Sequence, residues 1–358
     1  MHRLLKGLTS RLAVQQRGRC MSLSSTSSLD ALTEFAARGV LWDKLPEAPP
    51  AAVVQAHGAA VEANLGGPAS ENLARRVYHL YLPVYFWCKA LRAKSGKKGP
   101  LVIGISAPQG SGKTTICDTL VDLFKADGLS CAALSYDDLY LTFEEQNKVA
   151  EGGNKLLEWR GSAKTHALGL GVELFEAFKG GSGEVAIPSF DKSLHKGRGD
   201  RAPTESWPTA KLPLDVVIFE GWMAGFKPLG EEARKAGVLA KINPDLDEID
   251  EALEDYSQWD DIVDAWVVVA VDDVRTRVFD WRLEAEKRMA ASGKPCMSDE
   301  QVRDRQGCSP HAHLAGSGVR EPVPAVVRRV PPGAVRGGKR RWRRREADSC
   351  RRPRPEQI

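Results

Sequence analysis

Lys113 stands behind Gly110 and Gly112 and ahead of Thr114 and Thr115, and that set can hold phosphate. In the run Ala107-Pro-Gln-Gly-Ser-Gly-Lys-Thr114 the glycines let the backbone N–H groups of Gly110, Ser111, Gly112, Lys113, Thr114 and Thr115 curl around an anion. Lys113 reaches terminal phosphates, and the Thr114 hydroxyl suits a magnesium ion. The usual pattern opens with Gly; Ala107 takes that place, and the Gly-Ser-Gly-Lys-Thr-Thr core is intact. Two further acidic sites complete a phosphoryl-transfer set. Asp137 in Ser135-Tyr-Asp-Asp-Leu-Tyr140 is placed to accept the proton of an attacking hydroxyl, with Asp138 as its neighbour. Glu220 in Glu220-Gly-Trp222 suits Mg²⁺ or its waters, so Thr114, Asp137 and Glu220 form the expected metal set.

Basic residues supply the acceptor side. Arg160 and His166 lie in Trp159–His166; Lys192, Arg198 and Arg201 lie in Pro188–Arg201. Mixed Arg, Lys, Asp and Ser in Gly-punctuated stretches suit a small, anionic, hydroxylated substrate, because Arg grips a carboxylate bidentately. Trp222 is the expected pocket wall. Arg282, beside Trp281 on a long helical pattern, is the candidate for charge neutralisation over the phosphates.

Those residues need strands to carry them. Four apolar runs, Leu101–Ser106, Cys131–Ser135, Val216–Phe219 and Ala265–Val271, alternate with helical patterns. Unbroken apolar strands between helices imply an α/β fold with a parallel sheet covered on both faces. Ligands in such sheets sit at the strands' carboxyl ends, where these polar residues fall. Residues 30–95 read as a helical extension, broken at Pro46, Pro49 and Pro50, that caps the sheet; 96–304 read as the nucleotide-binding body.

The formal charge of +4 sums unlike segments. Residues 1–29 hold five Lys/Arg and no acid, and 305–358 hold fourteen against four. That leaves 32 basic against 43 acidic residues in 30–304. The folded body is acidic, which argues against nucleic-acid binding by it. The Arg- and Ser-rich stretch 1–29 has the composition of an organelle transit peptide, of chloroplast or mitochondrion. From Arg305 helical periodicity stops and Arg, Pro, Gly, Ala and Val dominate. This segment reads as a disordered basic tail, or as text from a shifted reading frame or retained intron in a GC-rich gene. No apolar run is long enough to span a membrane. The seven cysteines lack paired spacing and read as reduced thiols.

Taken together these motifs resemble the plant-type D-glycerate 3-kinases, of the P-loop kinase group that includes uridine kinase, pantothenate kinase and phosphoribulokinase. The resemblance runs from about residue 80 to 304. It rests on Gly104–Thr115, Asp137–Tyr140, Arg160-Gly161 with His166, Phe190–Ser193 with Gly197–Arg201, Phe219–Met223 with Gly225–Leu229, and Trp281-Arg282. It implies a P-loop fold, ATP and Mg²⁺, and phosphorylation of D-glycerate on its 3-hydroxyl to 3-phosphoglycerate. In plants that step closes photorespiration in the chloroplast stroma, which agrees with the leader. A monomer acting on a small molecule is expected. Two departures stand out: Ala167 replaces the family's Asp after the histidine, and the text from Arg305 is unrelated to the family's carboxyl-terminal helices. Another small-molecule kinase of the group, and a nucleotide-binding form without catalysis, remain as alternatives.

Overall fold

The computed structural model describes residues 34–67, 70–271, 273–291, 298–299 and 326–329. The 1–29 leader and, apart from 326–329, the 305–358 tail lie outside these residues.

The amino-terminal part is helical: α1 (Ala51–Asn64), α2 (Glu71–Arg76) and α3 (Leu82–Ser95), with a π-helical turn at Val77–Tyr81 joining the last two. Ser70 starts α2 by accepting a hydrogen bond from the Leu73 N–H, and Gly96 ends α3 in the left-handed region at φ 60°. The chain continues through β1 (Leu101–Ser106), α4 (Lys113–Ala126), β2 (Cys131–Ser135), α5 (Phe143–Ala150) and α6 (Leu168–Phe178). Four short strands follow: β3 (Glu184–Ala186), β4 (Phe190–Asp191), β5 (Asp200–Arg201) and β6 (Thr209–Lys211). Then come β7 (Val216–Gly221), α7 (Glu231–Lys235), α8 (Leu246–Ala252), α9 (Ser257–Asp260), β8 (Ala265–Val268), α10 (Val274–Ala291) and β9 (Val326–Arg329).

The central sheet has the order β2-β7-β1-β8-β9. Its first four strands are parallel, as the apolar runs implied, and β9 adds antiparallel to β8. Alternate residues feed two cores. Leu101, Ile103, Ile105, Val216 and Ile218 face α1, α3 and α4; Val102, Val217 and Phe219 face α6, α8 and α9. The sheet is therefore sandwiched between helical layers, and the amino-terminal helices share one core with β1 and α4. Two strand ends differ from the sequence reading. β7 extends to Glu220 and Gly221 because both still pair with β1; β8 stops at Val268, where the pairing with β1 ends at Ser106. Gly104 permits a close approach, since a Cβ there would stand 2.3 Å from the Trp266 ring of β8.

The far end of α4 is tied to the amino-terminal helices through Asp127. Its carboxylate accepts from His57 Nε2 at 3.1 Å and from Tyr85 Oη and Lys89 Nζ. The small strands form two antiparallel ladders, β3–β6 and β4–β5.

Candidate active site

The parallel registers set Ser106 level with Gly221, and Ser135 level with Glu220. Three strand ends thus open on one edge, at the point where β1 is flanked by β7 and β8. From β1 the chain enters the phosphate loop. Gly110 (φ 79°) and Gly112 (φ 90°) take left-handed conformations that only glycine adopts without strain. Gly112 precedes α4 with no side-chain cap, so the first N–H groups of that helix keep their capacity for an anion. Ser111 Oγ donates to the Pro108 carbonyl at 2.7 Å and Lys113 Nζ to the same oxygen at 3.3 Å, which folds the loop on itself. Burial lowers the Lys113 pKa, against the pull of Glu220 and Asp137. Thr114 is exposed and Thr115 half-buried at the start of the helix.

Asp137 sits on the one-turn 3-10 helix Tyr136–Leu139 that follows β2. Ser135 and Asp138 close a capping box there: the Asp137 N–H donates to Ser135 Oγ, and the Ser135 N–H to Asp138 Oδ2. Asp138 is thereby committed to backbone. Burial pushes its carboxyl up to about 6. Asp137 behaves oppositely. Burial would raise it, but Lys192 Nζ (2.5 Å from Oδ2) and Tyr140 Oη (2.7 Å from Oδ1) outweigh that and hold it below the usual range. Of two adjacent carboxylates, Asp137 is the one whose ionised form is favoured, and Asp138 the one tied to the backbone turn.

Glu220, at the β7 end, is buried, and its Oε2 is sealed without a hydrogen-bond partner. Burial raises its pKa, while the Ser135 hydroxyl and Lys113 act to lower it. A sealed carboxylate oxygen next to a lysine and a phosphate loop fits a Mg²⁺ ion or its water. Among the described residues no group of three or more His, Cys, Asp or Glu is spaced to hold a metal. Mg²⁺ takes one or two protein carboxylates and fills its shell with phosphate and water.

The expected acceptor residues gather around Asp137, though several are occupied in holding loops. Arg160 donates to the Gly197 carbonyl at 2.9 Å and to that of Arg198, and lies over Phe190 and Tyr140 at 5.2 and 5.9 Å. Arg198 bonds the Glu158 carbonyl at 2.9 Å and stacks on Trp159 at 4.7 Å. Arg201 Nη2 donates to the Tyr140 carbonyl at 3.0 Å. Trp222 Nε1 donates to the Gly161 carbonyl at 2.8 Å and so anchors the 159–166 loop. His166 is buried, stacked on Tyr140 at 4.8 Å and bonded through Nδ1 to Tyr256 Oη at 2.5 Å. Burial lowers its pKa to about 4, so it is neutral.

Arg282 lies on α10 next to Trp281, whose Cβ would be 2.7 Å from a Cβ at Gly110. That contact seats α10 on the phosphate loop. Arg282 reaches Glu286 one turn on at 3.3 Å. Sequence reasoning assigned no role to Ser135, Tyr140 or Tyr256. Ser135 and Tyr140 flank the Asp-Asp pair and were within reach of a strand-end search. Tyr256, ninety residues beyond His166, gave no signal.

The family model for the phosphoribulokinase/uridine kinase family matches residues 102–229. A chloroplastic D-glycerate 3-kinase of Arabidopsis thaliana is 45% identical over 242 residues, 64% of this chain and 52% of that protein, so the match spans about half the relative's length. An uncharacterized kinase of Schizosaccharomyces pombe is 36% identical over 213 residues, covering 57% of this chain and 76% of that one. Among solved structures, a D-glycerate 3-kinase from Cryptococcus neoformans var. grubii superposes with a TM-score of 0.55 at 30% identity, over 74% of this chain and 88% of that chain.

Proposed function

The chain belongs to the phosphoribulokinase/uridine kinase family of P-loop kinases, and we propose that it transfers the γ-phosphoryl group of ATP to the 3-hydroxyl of D-glycerate, giving 3-phosphoglycerate and ADP. One observation carries this reading. An ionised Asp137, held by the acceptor-side cation Lys192, stands on the same sheet edge as the phosphate loop.

ATP phosphates would lie on the N–H groups of Gly110 to Thr115 and against Lys113. Asp137 accepts the hydroxyl proton as the oxygen attacks phosphorus and the bond to ADP breaks. Lys113 and Arg282 offset charge on the transferring group. Thr114 and Glu220, with Asp137 beside them, are the residues that would hold Mg²⁺, which when bound neutralises phosphate-oxygen charge. Lys192, Arg160, Arg198 and Arg201 make the acceptor side electropositive, which suits a carboxylate better than a neutral nucleoside. His166 and Trp222 border it, and Asp138 shapes the turn. The names of the Arabidopsis and Cryptococcus relatives point to the same substrate. The leader's composition and the chloroplastic relative support a place in the stroma and a part in photorespiration.

The test is ATP turnover by residues 30–358 with D-glycerate, L-glycerate, pantothenate and uridine. Selective turnover with D-glycerate is expected. Selective turnover with another acceptor overturns the substrate. Soluble, ATP-binding protein that turns over none of them overturns the catalytic reading.

A further inference from the structure

Each carboxylate oxygen of Asp137 receives a hydrogen bond, and the two donors are unlike. Oδ1 takes the Tyr140 hydroxyl at 2.7 Å, and Oδ2 takes Lys192 Nζ at 2.5 Å. A cation on an oxygen lowers its basicity, and proton acceptance asks this carboxylate for basicity. The donors also differ in what holds them. Tyr140 is 4% exposed. Its ring stacks on His166 at 4.8 Å, meets Phe190 edge-on at 5.2 Å and lies under the Arg160 guanidinium at 5.9 Å. It cannot leave Oδ1 without disturbing that packing. The Lys192 side chain is 57% exposed, and among the described residues Asp137 is its one hydrogen-bond partner. Oδ2 is therefore the oxygen that can be uncovered.

The neighbouring cations are placed differently. Arg198 and Arg201 are fixed on the Glu158 and Tyr140 carbonyls, and Arg160 on those of Gly197 and Arg198. The carboxylate next to Lys192 in sequence, Asp191, is occupied by the Ser193 N–H and hydroxyl at 2.8 and 2.6 Å. The Lys192 backbone follows directly on β4, which is laddered to β5, while its ammonium sits on a flexible stem. An acceptor that carries a carboxylate offers this ammonium a partner of equal charge. A neutral acceptor offers none, and withdrawing Lys192 would then leave the Asp137 charge unpaired.

We propose that Lys192 is a specificity-determining cover on Asp137: without acceptor it lies on Oδ2, and the carboxylate of an acidic acceptor draws it off, so that Oδ2 is freed for proton acceptance only when such an acceptor is bound. The hydroxyl proton then passes to Oδ2 as the hydroxyl oxygen bonds to phosphorus, and the bond from phosphorus to the ADP oxygen breaks with its electron pair. The transfer step rests on the kinase reading above; the cover itself rests on the two hydrogen bonds of Asp137. The same device restrains transfer to water while the acceptor place is empty.

The experiment measures ATP turnover by the full chain and by Lys192→Met with D-glycerate, with its uncharged amide D-glyceramide, with D-lactate and with no acceptor. D-lactate keeps the carboxylate but lacks the reacting hydroxyl, which leaves room for water. It is expected to stimulate ATP hydrolysis by the parent about tenfold, the worth of one charge-assisted hydrogen bond. In Lys192→Met, hydrolysis without acceptor should stand about tenfold above the parent, with no further stimulation by D-lactate. The preference for D-glycerate over D-glyceramide should fall by at least about tenfold. Acceptor-free hydrolysis no faster in Lys192→Met, an undiminished preference, or no effect of D-lactate on a parent that phosphorylates D-glycerate overturns the proposal. The D-lactate measurement needs no substitution, so it decides even if Lys192→Met does not fold. A parent inactive on D-glycerate defeats the substrate reading instead, and acceptor-free hydrolysis in Lys192→Met then judges the cover alone.

Discussion

Lys113 and its loop occupy nine consecutive residues, 107–115, and act largely through backbone N–H groups; the groups around Asp137 come from 135–140, 159–166, 190–201, Trp222 and Tyr256 and act through side chains. The first region is stabilised by local conformation: two left-handed glycines and a helix start. The second depends on tertiary contacts, such as Arg160 on two carbonyls of the 195–199 loop and Trp222 on Gly161. A phosphate donor common to many kinases can be served by a portable segment. An acceptor that differs among kinases is read by side chains brought together from distant segments, each of which can vary alone.

The sharpest way to separate the two regions is Asp137→Asn. It removes proton acceptance but leaves the phosphate loop whole. A fall in kcat of about 10²–10⁴-fold is expected, with ATP affinity by calorimetry unchanged; parallel loss of ATP binding would show that the regions are not separable. Gly110→Ala attacks the other side. The new Cβ would stand 2.7 Å from Trp281 Cβ at a residue with φ 79°. A cost of about 2–3 kcal/mol is expected, read as a lower melting temperature and weaker ATP binding; unchanged melting would mean that α10 does not rest on the loop.

The smallest effect tests the buried polar wiring of the acceptor side. His166 is held near pKa 4 by burial, against an ordinary value of 6.5. Its neutral state favours the fold above pH 6.5, and that stability is lost as pH falls through about 4. His166→Gln cannot protonate. Its stability gap to the parent, from urea titrations, should narrow by about 1–2 kcal/mol between pH 7.5 and 4.5. A gap independent of pH would place the imidazole in contact with water.

The same contrast explains what could be read in advance. Leu101–Ser106 and Cys131–Ser135 were legible to the residue, because a doubly covered parallel strand is apolar along its whole length. Ala265–Val271 was read three residues too long, since apolar text continues after the ladder with β1 has ended. The phosphate loop was legible because its chemistry is contiguous. Asp137 and Glu220 were legible as polar residues at strand ends. The hydrogen bond between Tyr256 and His166 and the seat of Trp281 on Gly110 were not, because each depends on tertiary placement with no sequence period. The contacts of the Arg198 guanidinium with the Glu158 carbonyl and the Trp159 ring were equally hidden, since composition alone does not give them.

The tie at Asp127 limits where the gene can be trimmed. His57, Tyr85 and Lys89 reach the end of α4 from the amino-terminal helices, and Val84, Tyr85 and Cys88 share a core with Ile116, Leu120 and Phe124. A cloning boundary drawn at residue 96 on motif grounds would leave Asp127 without these partners and expose the outer face of the helix that begins at Lys113. Ala36 and Leu41 belong to the same buried core, so a segment that keeps the core whole starts upstream of Ala36, well before the first recognisable motif.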